Sequence, residues 1–246
     1  MKIIRLVETT STNDEAKRGA KEGAKHLTVW TAESQTSGRG RQGRAWTSPR
    51  GENLLFSVLL RISCPPPRVP LVALVAGLAT RDAIAKLLPP PDGDAKVKVK
   101  WPNDVVVADK KIAGILVESS IQGSKVDHVV VGIGVNVHTR NFPEELAPIA
   151  TSLSLEGRAD ADRDALLESI VENLDHDVEH VIHRGLGLVH ARLERADALR
   201  TRPLTDAGGV PLGIAEGIDD DGRLMVRRAD GVLTRIASGE VRVRAL

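Results

Sequence analysis

Three short segments gather side chains able to do chemistry. The first, Ser37-Gly-Arg-Gly-Arg-Gln-Gly-Arg44, packs three arginines and three glycines into eight residues of a chain whose formal net charge is only +1. Glycines let backbone N–H groups approach an anion closely, and arginine forks hold phosphate or carboxylate through two bonds at once. Each charge-assisted bond contributes about 1.5–3 kcal/mol, so several together would fix a nucleotide phosphate. The spacing is not that of a P-loop, nor of Gly-x-Gly-x-x-Gly opening a helix directly after a strand. By itself the segment leaves a nucleotide, an RNA and a solvated loop open.

The second segment is Lys100-Trp-Pro-Asn-Asp104, followed by Lys111-Ile-Ala-Gly-Ile-Leu-Val-Glu118. Pro102 forces Trp101 into extended geometry, so a strand should end there and Asn103 and Asp104 should enter a turn at its tip. A carboxylate, an amide and two lysines near strand ends suit phosphate and metal chemistry; the plain alternative is a turn beside a buried tryptophan. The third is Val131-Gly-Ile-Gly-Val-Asn136, where glycines inside an apolar strand mark a bulge, a ligand pressed against backbone, or tight sheet packing. The chain has no tyrosine and three tryptophans, two of which, Trp46 and Trp101, fall in or beside these segments. Such rings suit an apolar ligand or a purine, although Trp101 also fits a core position. His176, His180 and His183 recur at helical spacing, but no cysteine or ordered motif joins them, so no metal ligand is assigned.

Elements must position these groups. Ile3–Val7, Leu27–Thr31 and Leu54–Leu60 read as strands. Thr12-Asn-Asp-Glu15 has capping-box spacing and opens a helix to about Lys21. Residues 34–51 carry no apolar periodicity, and a connection that long is more often functional than idle. Val69–Leu88 is apolar at helical spacing and stops at Pro89-Pro90-Pro91. Val97, Val99 and Trp101 alternate with Lys96, Lys98 and Lys100, the period of a half-buried strand. Val105–Val107, Ile112–Glu118 and Val129–Val137 follow closely, which predicts an antiparallel run inside a mixed sheet. Asp162–His183 and Leu186–Leu199 read as helical. Near residue 202 the texture changes to short β-rich stretches punctuated by Gly208-Gly209, Asp221-Gly222 and Asp230-Gly231, the signature of a small barrel. The expected architecture is α+β: a mixed β-sheet flanked by helices over residues 1–202, then a small barrel over 203–246.

Composition narrows the classes. A chain of 246 residues can bury a full core, and interspersed acids and bases give no reason to expect a large nucleic-acid surface. The single cysteine, Cys64, forms no internal disulfide, which fits a reducing compartment. The apolar run Val69–Ala79 falls short of the roughly 20 residues a bilayer span needs, and the N-terminus lacks a signal-peptide pattern. A cytoplasmic protein is expected.

Taken in order, the motifs resemble the biotin protein ligases. The resemblance rests on Ser11-Thr-Asn13, Gln35-x-x-Gly-Arg-Gly-Arg-x-Gly-Arg44-x-Trp46, Lys100-Trp-Pro-Asn-Asp104, Lys111-x-Ala-Gly-Ile-Leu-Val-Glu118 and Gly132-x-Gly-x-Asn136, with Gly213-x-Ala-x-Gly-Ile and Ser238-Gly-Glu-Val241 like that family's C-terminal SH3-like barrel. It implies a class II synthetase-like biotin/lipoate ligase fold and a two-step reaction. ATP and biotin, with Mg²⁺, give biotinyl-5'-AMP, and a lysine of a biotin carboxyl carrier domain of a carboxylase then takes the biotinyl group.

By matching position, the resemblance implies that Ser11, Thr12, Asn13 and Gln35 grip the biotin head, with backbone near Gly38, Gly114 and Gly134 lining its pocket. Arg39, Arg41 and Lys111 would face carboxylate and phosphate, Asn136 the adenine side, and Trp46 would cover the nucleotide. Asn103 would meet the phosphate, and Asp104 would orient the incoming lysine. Two departures matter. Ser11 stands so near the start that no winged helix-turn-helix precedes it, so ligase activity without DNA binding is expected. Gln42 also stands where some relatives carry a basic residue. A lipoate ligase would show an Arg-Arg-x-Ser-Gly-Gly-Gly type motif, absent here; an RNA-binding module would use the Arg/Gly loop without ATP chemistry. An open sheet edge is compatible with a homodimer.

Overall fold

The central strand explains the layering. In β3 (Leu54–Leu60) all seven residues are buried, so both faces of the sheet must be covered. Leu54, Phe56, Val58 and Leu60 point into the main core, while Leu59 joins a smaller cluster with Ala16, Ala20, Trp30 and Val130 on the opposite face. The main core lies under α2 (Val69–Leu87), which packs on α3 (Arg163–Arg184). The smaller cluster lies under α1 (Thr12–Lys21). The computed structural model describes residues 1–88 and 96–244.

Among the described residues, seven strands form the large sheet: β1 (Lys2–Leu6), β2 (Thr28–Ala32), β3, β4 (Val97–Lys100), β5 (Asp104–Val107), β6 (Lys110–Gln122) and β7 (Lys125–Val135), in the order β1-β2-β3-β7-β6-β5-β4. Among the described residues, β1 and β2 run parallel and the remaining strand pairs of this sheet are antiparallel. After α3 come a 3₁₀ turn (Leu186–Leu188) and the short α4 (His190–Ala196). A separate five-stranded antiparallel sheet follows: β8 (Pro203–Asp206), β9 (Pro211–Ile218), β10 (Leu224–Arg227), β11 (Leu233–Ile236) and β12 (Val241–Val243), ordered β11-β10-β9-β8-β12.

Several boundaries differ from the sequence expectation, each for a physical reason. The β6–β7 arm runs to Gln122 and back from Lys125, beyond the apolar alternation, because its outer residues are mostly exposed and polar. Leu186–Leu199 is not one helix, since Gly185 at φ +79° ends α3 and a 3₁₀ turn intervenes. The capping box does not form. Ser11 is the N-cap, Thr12 turns to Gln35, and Glu15 accepts from the Thr9 hydroxyl at 2.8 Å. The Pro89-Pro90-Pro91 stop lies outside the described residues.

One hydrogen bond ties the small sheet to the segment 100–104: the Trp101 indole N–H donates to the Gly222 carbonyl at 3.0 Å. Trp101 is buried, and Gly222 sits at φ +79° where an added Cβ would lie 2.8 Å from Leu71 and 3.0 Å from Leu74 of α2. Gly222→Ala is therefore expected to destabilise the protein by roughly 1–3 kcal/mol, from left-handed backbone strain plus crowding. Thermal denaturation checks this, and an unchanged midpoint would contradict the junction described.

Candidate active site

Register brings the glycine-bearing segments together. Across β3, β7, β6 and β5, Leu55 pairs with Gly134, Gly134 with Gly114, and Gly114 with Asp104. Paired residues share a face, so two adjacent positions on the α1 side of the sheet have no side chain. The Trp46 indole lies in that gap. A Cβ at Gly134 would come within 2.6 Å of the ring and one at Gly114 within 3.0 Å. Around this floor opens a cavity of about 180 Å³, walled by α1, the Arg/Gly loop, the segment 100–104, and Gly239 to Val241 of the small sheet.

The Arg/Gly loop is a tight hairpin rather than an irregular connection. Trp46 N–H donates to the Gly38 carbonyl at 2.9 Å, and Gly40 N–H to Arg44 at 2.7 Å. A Cβ on Gly38 would stand 2.3 Å from the Trp46 carbonyl oxygen, so this crossing requires glycine. The three arginines diverge. Arg39 forks onto Asp14 at 2.7 and 2.6 Å, Arg41 donates to Asn103 Oδ1 at 3.0 Å, and Arg44 pairs with Glu240 of the small sheet.

At one end of the cavity the backbone N–H of Thr12 donates to Gln35 Oε1 at 2.7 Å, with the Thr12 hydroxyl 3.1 Å from the same oxygen. Ser57, fully buried on β3, places its Oγ 2.8 Å from Thr12 Oγ1 and 2.6 Å from Asn13 Oδ1. Asn13 Nδ2 donates to Glu118 at 2.6 Å, which Lys17 also reaches at 2.6 Å. Gly132 makes room for Asn13, since a Cβ there would lie 2.1 Å from its Oδ1. At the other end Lys111 Nζ lies 2.7 Å from Asp104 Oδ1 and 5.4 Å from the centroid of the Trp46 ring, a cation–π arrangement. Asn103 is held by the Ile115 carbonyl at 2.8 Å.

Electrostatics follow the geometry. The Arg39 fork holds the Asp14 carboxyl below its usual range against some burial. Burial resists charge on Glu118, but the bonds from Lys17 and Asn13 outweigh it, and its carboxyl also stays low. Glu240 behaves likewise: burial opposes its charge and Arg44 more than offsets it. Trp46 Nε1 is buried and has no partner among the described residues.

Most of the residues singled out in the sequence line this cavity: Ser11, Thr12, Asn13, Gln35, Arg39, Arg41, Trp46, Asn103, Asp104, Lys111, Gly114 and Gly134. Asn136 does not. It is buried with its amide donating to the Thr151 carbonyl at 3.1 Å, fastening the segment after β7 to its neighbours. Gly38 lies behind the lining as the hairpin crossing. Asp104 is not in the turn; it opens β5 opposite Lys100, and the turn spans Trp101–Asn103. The histidine row runs along α3 with His176 and His183 exposed, and no metal-binding cluster occurs among the described residues. Sequence reasoning missed Ser57, Asp14 and Glu240. Ser57 was findable as the one polar residue in Leu-Leu-Phe-Ser-Val-Leu-Leu; the other two depend on tertiary placement.

Residues 3–136 match the model of the biotin/lipoate A/B protein ligase family, and residues 204–244 match the biotin protein ligase C-terminal domain. A biotin–[acetyl-CoA-carboxylase] ligase of Mycobacterium tuberculosis is 35% identical over 242 residues, covering 96% of this chain and 86% of its own. A bifunctional ligase/repressor of Escherichia coli is 33% identical over 216 residues, 87% of this chain; the match spans 65% of that relative's length. The solved biotin protein ligase of Aquifex aeolicus in complex with biotin and ATP superposes with a TM-score of 0.82 at 28% identity, covering 99% of both chains.

Two outcomes follow from the charges. Because the Asp14 carboxyl is depressed in the folded state, its contribution is present above the unfolded value of about 3.9 and is lost as pH falls through the lower folded value. Wild type should therefore lose its advantage over Asp14→Asn on acidification, as urea titrations at pH 7 and pH 3 would reveal; a gap constant with pH contradicts the assignment. Arg44→Gln and Glu240→Gln should each speed amide exchange in residues 36–46 to the same extent, with no further gain in the double variant. Additive effects would mean that the two side chains act separately.

Proposed function

The chain belongs to the biotin/lipoate A/B protein ligase family, and from that membership we propose that it joins biotin to ATP and passes the biotinyl group to a lysine of a carrier domain. The observation that carries the reading is the cavity's polarity. A neutral hydrogen-bonding end at Thr12 and Gln35 faces a cationic end at Lys111 and Arg41 across a floor of bare glycine backbone on which the Trp46 indole rests. Biotin has the matching order: a ring urea, an apolar chain and a carboxylate.

In the proposed reaction a biotin carboxylate oxygen attacks the α-phosphorus of ATP, the bond to pyrophosphate breaks, and a mixed anhydride forms. The amine of the acceptor lysine then attacks the acyl carbon and AMP leaves with the anhydride oxygen. Charge gathers on phosphate oxygens in both steps, so fixed cations and positioning dominate. Lys111 and Arg41 supply the cations, and Asn103, anchored on Ile115, holds Arg41 toward the phosphate. Arg39, forked onto Asp14, fixes the hairpin against α1 and closes the carboxylate side. A free lysine amine has a pKa of about 10.4, so the acceptor must shed a proton to react; Asp104, a carboxylate that lines the cavity, orients it and takes that proton.

Trp46 gives the floor a second state. The indole rests where ligand backbone contacts are expected, and swinging off Gly114 and Gly134 would let it cover the nucleotide. Asp104 and Glu240 are cavity-lining carboxylates, and one such group fits an Mg²⁺ carried mainly by phosphate oxygens and water. Asp104 would hold that ion, which would neutralise phosphate charge.

The chain divides most naturally into a catalytic unit of residues 1–202 and a C-terminal unit of 203–246. The second sheet beginning at Pro203 and the C-terminal match over 204–244 support this division. The acceptor is a carrier domain of a biotin-dependent carboxylase, supported by the acetyl-CoA-carboxylase ligase relative.

The test is exchange of labelled pyrophosphate into ATP. It should require biotin and not respond to lipoate or RNA. Lys111→Ala should lower that exchange about 10²-fold or more, the scale seen when a charge-stabilising group is removed. Calorimetric biotin affinity should change far less. Exchange without biotin, or full exchange by the variant, would overturn these assignments.

A further inference from the structure

Hydrogen-bond direction inside the buried polar row running from Glu118 to Thr12 is fixed by chemistry. A carboxylate only accepts, so Asn13 must present its Nδ2 to Glu118, 2.6 Å away. Its Oδ1 therefore faces Ser57 Oγ at 2.6 Å. An amide oxygen also only accepts, so the Ser57 proton lies in that contact. The contact of 2.8 Å between Ser57 and Thr12 must then use the Thr12 proton. The opposite arrangement sends protons from Ser57 to Thr12 and on to Gln35 at 3.1 Å, but it sets two lone pairs against each other at 2.6 Å.

We infer that Glu118 and Ser57 are positioning residues that make Thr12 Oγ1 an obligate acceptor toward the cavity, selecting a ligand that presents a ring N–H there. The inference rests on the ligase reading, in which that ligand is the cyclic urea of biotin. With its own proton committed to Ser57, Thr12 offers lone pairs to the ligand. Gln35 Oε1, already receiving the Thr12 backbone N–H, keeps one lone pair, and the Gln35 Nε2 group supplies donors for a carbonyl. This end of the cavity thus fits N–H beside C=O and opposes a ring oxygen in place of that N–H.

Three features hold the direction. Lys17 at 2.6 Å and Arg39 at 3.6 Å keep Glu118 ionised. Ser57 is fully buried, so water offers its hydroxyl no other partner. The bare α-carbon of Gly132 lets Asn13 press against the strand. Neither Glu118 nor Ser57 lines the cavity, so both act through the residues that do.

The experiment compares biotin with its carbamate analogue, in which ring oxygen replaces one N–H, by kcat/KM in pyrophosphate exchange. Wild type should strongly prefer biotin, because a buried acceptor facing a ring oxygen is left unpaired. In Glu118→Gln the side-chain amide can present either end to Asn13, and in Ser57→Ala the row is cut, so Thr12 can turn its proton to the ligand. Both variants should raise the KM for biotin with kcat within about twofold, and lower the biotin-to-carbamate preference at least tenfold, equal to about 1.4 kcal/mol. Purely structural damage would lower both substrates together. A preference within twofold of wild type in folded Ser57→Ala overturns the inference alone. Absence of biotin-dependent exchange in the wild-type protein overturns the ligase reading, and this inference with it.

Discussion

The site depends on a bare patch of backbone in the middle of a sheet. Gly114 and Gly134 are register partners on adjacent strands and face the same side, so side-chain volume is missing over two neighbouring positions at once. Gly132 repeats the omission one step along, where Asn13 fills it. A sheet normally covers its centre with alternating side chains. Here one face carries a full apolar core under α2, whereas the other gives up packing to admit flat groups. The long buried strand β3 and the helix pair α2–α3 make up for that loss, which is why the apolar residues are so unevenly divided between the two faces.

The second sheet completes the cavity from outside the first. Glu240 takes the last arginine of the Arg/Gly hairpin, and the Gly222 carbonyl takes the indole proton of Trp101. The hairpin and the turn carrying Asn103 are thus each anchored to the same small β-unit. The Arg44 pair is largely exposed on the arginine side, so its value is geometric more than energetic. The Trp101 bond is buried and closes a donor that would otherwise be left unsatisfied.

Legibility in the sequence followed the physics of each element. Leu54–Leu60 and Val69–Leu87 were plain because long apolar runs at strand or helix spacing leave few alternatives. The outer β6–β7 arm was not, since exposed polar residues carry no face preference to read. Gly132 and Gly134 signalled close approach before any register was known, and Gly114 entered only through the family resemblance, but what approaches them was not readable: a tryptophan at Gly114 and Gly134, an asparagine at Gly132. Asn136 shares a motif with Gly132 and Gly134, but the bond from its amide to the Thr151 carbonyl depends on a segment 15 residues away and could not be read from that motif. The arginines were legible as a group. Their three different partners, Asp14, Asn103 and Glu240, were not, because each sits on a distant part of the chain.

The position of Trp46 has an optical consequence. The chain has no tyrosine, and its other two tryptophans, Trp30 and Trp101, are almost fully buried in packed surroundings. Trp101 and Trp46 both line the cavity, but Trp46 is the one that lies over its glycine floor, with an ammonium group above its ring and an indole proton that has no partner among the described residues. Light near the red edge of indole absorption therefore excites, beside two tightly packed indoles, one whose surroundings change most when the floor is occupied. The protein carries its own site-specific fluorophore, free of label and of background from phenolic rings.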